Sequence, residues 1–195
     1  MTDFNQAYRI TMNNEGGYAN NPLDHGGETW RGIARNFWLH WLGWPIVDTI
    51  KAQHPANLNV ALSKNLELEK LVLSFYKTEF WDVICLSGLN DQETANSLFD
   101  ISVNMGTGTA AKIFQEAVNT FPGNSIVIDE KIGQITLAAA NKIHSTSLFE
   151  KINELREQRY DEIIAKNPSQ AAFKNSWFSR IKSYNTEEKE GENLA

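Results

Sequence analysis

The stretch from Glu15 to Ile33, EGGYANNPLDHGGETWRGI, constrains this chain more than any other. It holds five of the twelve glycines, a proline, two adjacent asparagines and three acids, Glu15, Asp24 and Glu28. Turn formers at that density cannot make one helix, and ordering them costs backbone entropy. Helical patterns begin on both sides of it. An irregular segment carried by a rigid helical scaffold is where functional side chains tend to sit.

Residues 2–14 lead into it as a predicted helix. Phe4, Ala7, Tyr8 and Met12 fall at helical spacing, and Thr2 or Asp3 can cap the start. Gly16 and Gly17 stop the pattern, which puts Glu15 at a helix C-terminus. There the macrodipole opposes a negative charge and raises a carboxyl pKa, and burial raises it further. A carboxyl that keeps its proton near neutral pH can serve as a general acid. An exposed glutamate beside a glycine cap is the other reading, and the local sequence supports both equally.

Downstream, ARNFWLHWLGW at 34–44 predicts a helix with Trp38 and Trp41 on one face, packed on the core in preference to forming a sugar platform. Gly43 and Pro45 would end it. Residues 46–64 read as a loop with one short turn. A stronger helix follows over 65–81, with Leu68, Leu71, Val72, Phe75, Tyr76 and Phe80 as its apolar stripe. Residues 90–105 predict another, with Asn90 and Glu93 resembling a capping box. Gly106 breaks it, and Thr107 or Thr109 can cap the next, which runs to Pro122. So short a connection predicts an αα-hairpin. An extended turn is expected at 124–132, then helices at 134–143, 148–165 and 171–184. The acidic tail 185–195 reads as disordered. The pattern as a whole predicts an all-α fold.

A net charge of −6 argues against a general nucleic-acid binder, which needs a basic face, and removes attraction to anionic membranes. The single cysteine, Cys85, allows no internal disulfide. The four histidines show no metal-ligand spacing, so neither metal nor cofactor is expected. No apolar run reaches the length of a membrane-spanning helix, so no membrane insertion is expected. The first residues lack the apolar core of a signal peptide. A substrate outside the cytoplasm would require another export route.

The order Glu15, Asp24, Thr29 on a helix end followed by a Gly-rich excursion is similar to phage-type lysozymes. The whole stretch more closely resembles the EGGY…DxGGxTxxGI signature of the glycoside hydrolase family 108 muramidases. FYKTEFWD resembles that family's aromatic-rich helix end, and LFDISVNMGTGTAAKIFQEAVN its FDxxVNxGxxxAxxxLQ hairpin. IDEKIGQITLAAA resembles its DGxxGxxT segment, and SWFSRI its GWxxR ending. These matches run in order from Glu15 to Ile181. The resemblance implies a lysozyme-like helical bundle that cuts the β-1,4 bond between N-acetylmuramic acid and N-acetylglucosamine. It implies a muramidase region over 1–90 and a peptidoglycan-binding-like helical region over 91–184, packed into one globule. Peptidoglycan glycan strands would be the partner, reached in the periplasm or at the wall after export through a holin or secretion machinery, or after lysis.

The resemblance makes Glu15 the catalytic acid. Asp24 would stabilise positive charge or, with Thr29, position a water, as glycoside hydrolysis through an oxocarbenium-like transition state requires. Asp24 can equally cap a turn before Gly26–Gly27, and Thr29 can cap a helix starting near Trp30. Glu28 ranks below Asp24. Tyr18 and Trp30 are candidates for stacking on a sugar, and Asn104 for bonding an N-acetyl group or capping a helix before Gly106. Gly26, Gly27 and Gly32 are backbone requirements, and Gly27 is a point where a glycan can approach the main chain. The sequence departs from the family at His25, Arg31, Ala34 and Glu130, the last where the family usually has glycine. A non-catalytic peptidoglycan-binding or secretion-associated protein of the same fold is the alternative function.

Overall fold

A computed structural model of the chain describes residues 1–12, 16–21 and 26–181. Glu15, Asp24 and the acidic tail lie outside the described residues. The fold is largely α-helical, as the periodicity predicts, and it falls into two compact units. One comprises Met1–Ala7 with the chain from Phe80 onward, and the other comprises Tyr8–Glu79.

In the Tyr8–Glu79 unit, helix α1 (Phe4–Met12) contributes its second half. Three short antiparallel strands follow in the order β1 (Tyr18–Asn20), β2 (Glu28–Trp30), β3 (Ile33–Ala34). Periodicity missed them because strands this short show no alternation. No helix starts near Trp30, so Thr29 is a strand residue and caps nothing. β2 and β3 are joined by Arg31 and Gly32, at φ 50° and 77°. Two positive φ values are what a type I′ hairpin turn requires.

The helix expected over 34–44 is absent. Its tryptophan spacing of three belongs instead to successive i→i+3 turns. Phe37 N–H donates to Ala34 O, Trp41 N–H to Trp38 O and Trp44 N–H to Trp41 O, at 3.1, 3.0 and 3.2 Å. Phe37, Leu39 and Leu42 are exposed, while Trp38 packs edge-on against Phe75 and Trp41 against Trp44. Gly43 and Pro45 do not end a helix. They start α2 (Trp44–Ala52), with Gly43 at the N-cap and Pro45 in the first turn, where its missing N–H costs nothing.

The stretch 46–64 is more than a loop. α2 occupies its first part and α3 (Leu58–Ser63) its end. Asn57 caps α3 by accepting Val60 N–H at 3.1 Å, and Asn65 caps α4 (Leu66–Tyr76) by accepting Leu68 N–H at 2.9 Å. α4 runs on into a π-helical segment, Lys77–Asp82.

Tyr8 packs against Tyr76 with ring centres 5.8 Å apart, and burial pushes its phenol from 10.0 up to about 12. Between those values the unfolded chain has lost a proton that the folded chain keeps, so stability falls as pH rises. The urea midpoint is expected to drop from pH 10 to pH 12, and Tyr8→Phe to flatten that slope.

The other unit is built on a helical hairpin. α5 (Gln92–Met105) and α6 (Thr107–Asn119) meet at Gly106, whose φ of 89° suits glycine alone. The cap of α5 is Asp91, not Asn90. Asp91 Oδ2 accepts from Thr94 N–H at 2.9 Å and from Thr94 Oγ1 at 2.7 Å, while Asn90 N–H donates to Asn141 Oδ1 at 3.0 Å. Gly106 is the N-cap of α6, and neither Thr107 nor Thr109 caps it. α7 (Gln134–Ala140) packs on α6. α8 (Ser145–Lys166) packs on both hairpin helices. A 3₁₀ turn (Pro168–Phe173) and the short α9 (Lys174–Phe178) replace the single last helix expected. Phe4, Trp81 and Phe99 form an edge-to-face core cluster, with centres 5.7 to 5.9 Å apart.

Candidate active site

The Gly-rich stretch folds around its strands. Tyr18 pairs with Trp30, Ala19 with Thr29 and Asn20 with Glu28, and β3 adds the pairs Thr29 with Ala34 and Trp30 with Ile33. Successive strand side chains point to opposite faces. Tyr18, Glu28, Trp30 and Ile33 therefore share one face, and Ala19, Thr29 and Ala34 share the other.

The first face is closed at its Trp30–Ile33 end. Trp30 and Ile33 have no exposed surface, so Trp30 is a core residue whose ring has no open face for a sugar. Its Nε1 has no partner among the described residues. At the polar end of this face sits Glu28, with a side chain only 10% exposed. Glu28 Oε1 accepts the Tyr18 hydroxyl at 2.7 Å and pairs with Lys51 Nζ from α2. Glu28 Oε2 lies 2.7 Å from Arg35 Nε, an ion-pair contact off the N–H axis and so not a hydrogen bond.

Arg35 also donates through both terminal nitrogens to Asp48, at 2.6 and 3.1 Å, and lies over the Trp44 ring at 4.4 Å. Lys51 Nζ stands 5.4 Å from the centre of the Tyr18 ring. The hydrogen bond from Lys51 to Glu28 raises the Lys51 pKa. Burial, then the bond to Glu28, raises that of Tyr18, and Arg35 holds Asp48 below the usual carboxylate range. Two carboxylates and two cations thus neutralise one another around one phenol.

Two glycines of the stretch carry specific steric demands. A Cβ on Gly17 would stand 2.2 Å from Asn59 Oδ1, the same atom that accepts Tyr18 N–H at 2.7 Å. Gly27, at φ 66°, would bring a Cβ within 2.8 Å of Asn36 Nδ2. The second face carries Thr29, half-buried, with its hydroxyl 3.5 Å from Ala19 O, at the limit of a hydrogen bond. The sheet therefore holds Tyr18, Thr29 and Trp30, with Gly27 just before β2, but sets Thr29 on the face opposite Tyr18 and Trp30. Glu15 and Asp24 flank the described strands in sequence.

Asn104 belongs to the other unit. Its Nδ2 donates to the Tyr160 hydroxyl at 2.8 Å, an internal bond that joins α5 to α8. Arg156 Nε donates to the same hydroxyl at 3.1 Å. Arg156 is 1% exposed and pairs with Asp100 Oδ2, while Arg180 Nη1 reaches Asp100 Oδ1 at 3.0 Å. Trp177 stacks on Tyr160 with centres 5.1 Å apart.

A further internal post is Gln115, 1% exposed. Its Oε1 accepts from Asp129 and Glu130 N–H at 3.1 and 3.0 Å, and its Nε2 donates to Asp129 Oδ1 at 2.7 Å and Lys131 O at 2.9 Å. Among the described residues, no cluster of His, Cys, Asp or Glu is placed to hold a metal, and no helix is long and apolar enough to cross a membrane.

Residues 8–106 match the family model described as Glycosyl hydrolase 108, and residues 109–182 match the Predicted Peptidoglycan domain. No curated protein matches the chain. Among solved structures, one of Brucella abortus SagA shares the fold, with 21% identity and a TM-score of 0.60 over 91% of this chain and 88% of that one. This chain belongs to the glycosyl hydrolase 108 family and is a peptidoglycan hydrolase of the lysozyme type. The two matched segments meet at the α5–α6 turn, inside the unit that comprises Met1–Ala7 and the chain from Phe80 onward.

Proposed function

We propose that this hydrolase is an N-acetylmuramidase that cleaves the β-1,4 bond between N-acetylmuramic acid and N-acetylglucosamine, with Glu15 as general acid. The observation that carries the assignment is the occupation of Glu28. The stretch holds three acids, and both oxygens of Glu28 are taken up by Tyr18, Lys51 and Arg35. Glu15 and Asp24 are the acids left for chemistry. Glu15 supplies the proton to the leaving oxygen. Asp24 stabilises the developing positive charge or, with Thr29, holds the attacking water. Thr29 suits that task, because its half-buried hydroxyl makes only a marginal contact with Ala19 O. The enzyme acts on the wall after export by a holin or secretion machinery, or after lysis.

Mass analysis of digested peptidoglycan tests the bond. The expected products end in reducing N-acetylmuramic acid. Products ending in reducing N-acetylglucosamine, or in a 1,6-anhydro sugar, would replace the assignment with a glucosaminidase or a lytic transglycosylase. Wild type that binds the wall but releases nothing would identify a binding protein.

A further inference from the structure

We infer that Glu28 is a positioning residue that clasps β1, the strand that follows Glu15 in the sequence, to β2, the strand that follows Asp24. This rests on the muramidase reading and adds to it a residue that acts without touching the sugar. Tyr18 stands three residues after Glu15, and Glu28 four residues after Asp24. Their hydrogen bond therefore ties together the two chain ends that lead to the candidate acids.

Tyr18 and Glu28 are diagonal neighbours on one face of the β1–β2 pair, within reach of long side chains. Each is anchored a second time from a helix, Tyr18 N–H by Asn59 of α3 and Glu28 by Lys51 of α2. Arg35, locked by Asp48 and Trp44, supports Glu28 from the far side. Four anchors hold Tyr18 and Glu28, and with them the strands that neighbour the candidate acids in the sequence. Displacing a catalytic group by about 1 Å can cost on the order of a hundredfold in rate, so the clasp is felt in kcat, not in affinity.

The test measures kcat and KM on solubilised, peptide-free glycan strands for wild type, Tyr18→Phe, Glu28→Ala, their double variant and Glu28→Gln, with a thermal melt on each. Tyr18→Phe and Glu28→Ala are expected to lower kcat roughly 10- to 100-fold at unchanged KM. The double variant should be no slower than Glu28→Ala, because both remove one interaction. Glu28→Gln should keep kcat within about threefold. Its remaining oxygen can still accept from both Tyr18 and Lys51, so the hydrogen bonds stay while the charge in the pairs with Lys51 and Arg35 is lost. If Glu28→Ala does not fold, Tyr18→Phe carries the test, since it leaves both ion pairs in place.

Wild-type kcat in Tyr18→Phe and Glu28→Ala overturns the clasp. So does a Glu28→Gln variant as slow as Glu28→Ala beside a normal Tyr18→Phe, which would give Glu28 a chemical role. Wild type that cleaves no glycan overturns the muramidase reading and the clasp with it.

Discussion

Glu15→Gln is expected to lower kcat on peptidoglycan by about a thousandfold while leaving KM and affinity for insoluble wall unchanged. The carboxyl of a general acid is worth roughly 10²- to 10⁴-fold, and the amide of glutamine cannot deliver a proton to the leaving oxygen. Shape and polarity are otherwise preserved, so substrate recognition stays. A loss confined to kcat marks an interaction made only in the transition state. Turbidity clearing separates the outcomes when run beside a pull-down on purified wall. Clearing that survives the substitution would remove Glu15 from the chemistry. Loss of clearing together with loss of binding would make it a structural residue. Asp24→Asn run in parallel tells its two readings apart, since a turn cap tolerates asparagine and charge stabilisation does not.

Much of this was legible in the sequence, and the misreadings have physical causes. The long apolar stripes of α4, α5, α6 and α8 identified themselves because a 3.6-residue period repeated several times has few imitators. Trp38, Trp41 and Trp44 did imitate one, because a period of three also fits i→i+3 turns. Gly43 and Pro45 are punctuation either way, and which side the helix lies on depends on tertiary packing. α2 and α3 went unseen, although Asn57, the cap of α3, was an available signal.

Within the site, Gly27 and Gly32 have the positive φ that fits their reading as backbone requirements. Opposite strand faces for Tyr18 and Thr29 could not be read, because no strand was predicted there. The Glu28 cluster gathers residues from positions 18, 28, 35, 48 and 51, which no local pattern links.

The family motifs in the second half acquire a structural meaning. Gln115 of the hairpin motif holds the DEKIG turn through four hydrogen bonds. Glu130 sits there at φ 61°, which accounts for the glycine usual in relatives at this place. Asp100 and Asn104 of the same motif hold Arg156, Arg180 and Tyr160. Asn104 is thus spent on packing α5 to α8, and its Nδ2 is already engaged.

Asp100→Ala is expected to destabilise the fold by roughly 3–5 kcal/mol, the usual cost of stranding a buried charge. Asp100 is bonded to two guanidiniums, and one of those, on Arg156, is 1% exposed. Without it the hydrogen-bond partner left to Arg156 among the described residues is the Tyr160 hydroxyl, a neutral group. Arg180→Ala removes a partner from Asp100 but leaves the Arg156 pair intact, so it should cost clearly less. The sharper comparison is the double variant Asp100→Leu/Arg156→Met. Burying an ion pair incurs a desolvation penalty that its attraction barely repays, so an apolar pair of similar volume should recover much of the loss. Urea unfolding of the three variants should rank Asp100→Ala as the least stable. A double variant as unstable as Asp100→Ala would mean that the pair stabilises the fold on balance. A loss under about 1 kcal/mol for Asp100→Ala, the range of exposed pairs, would mean that water reaches Arg156.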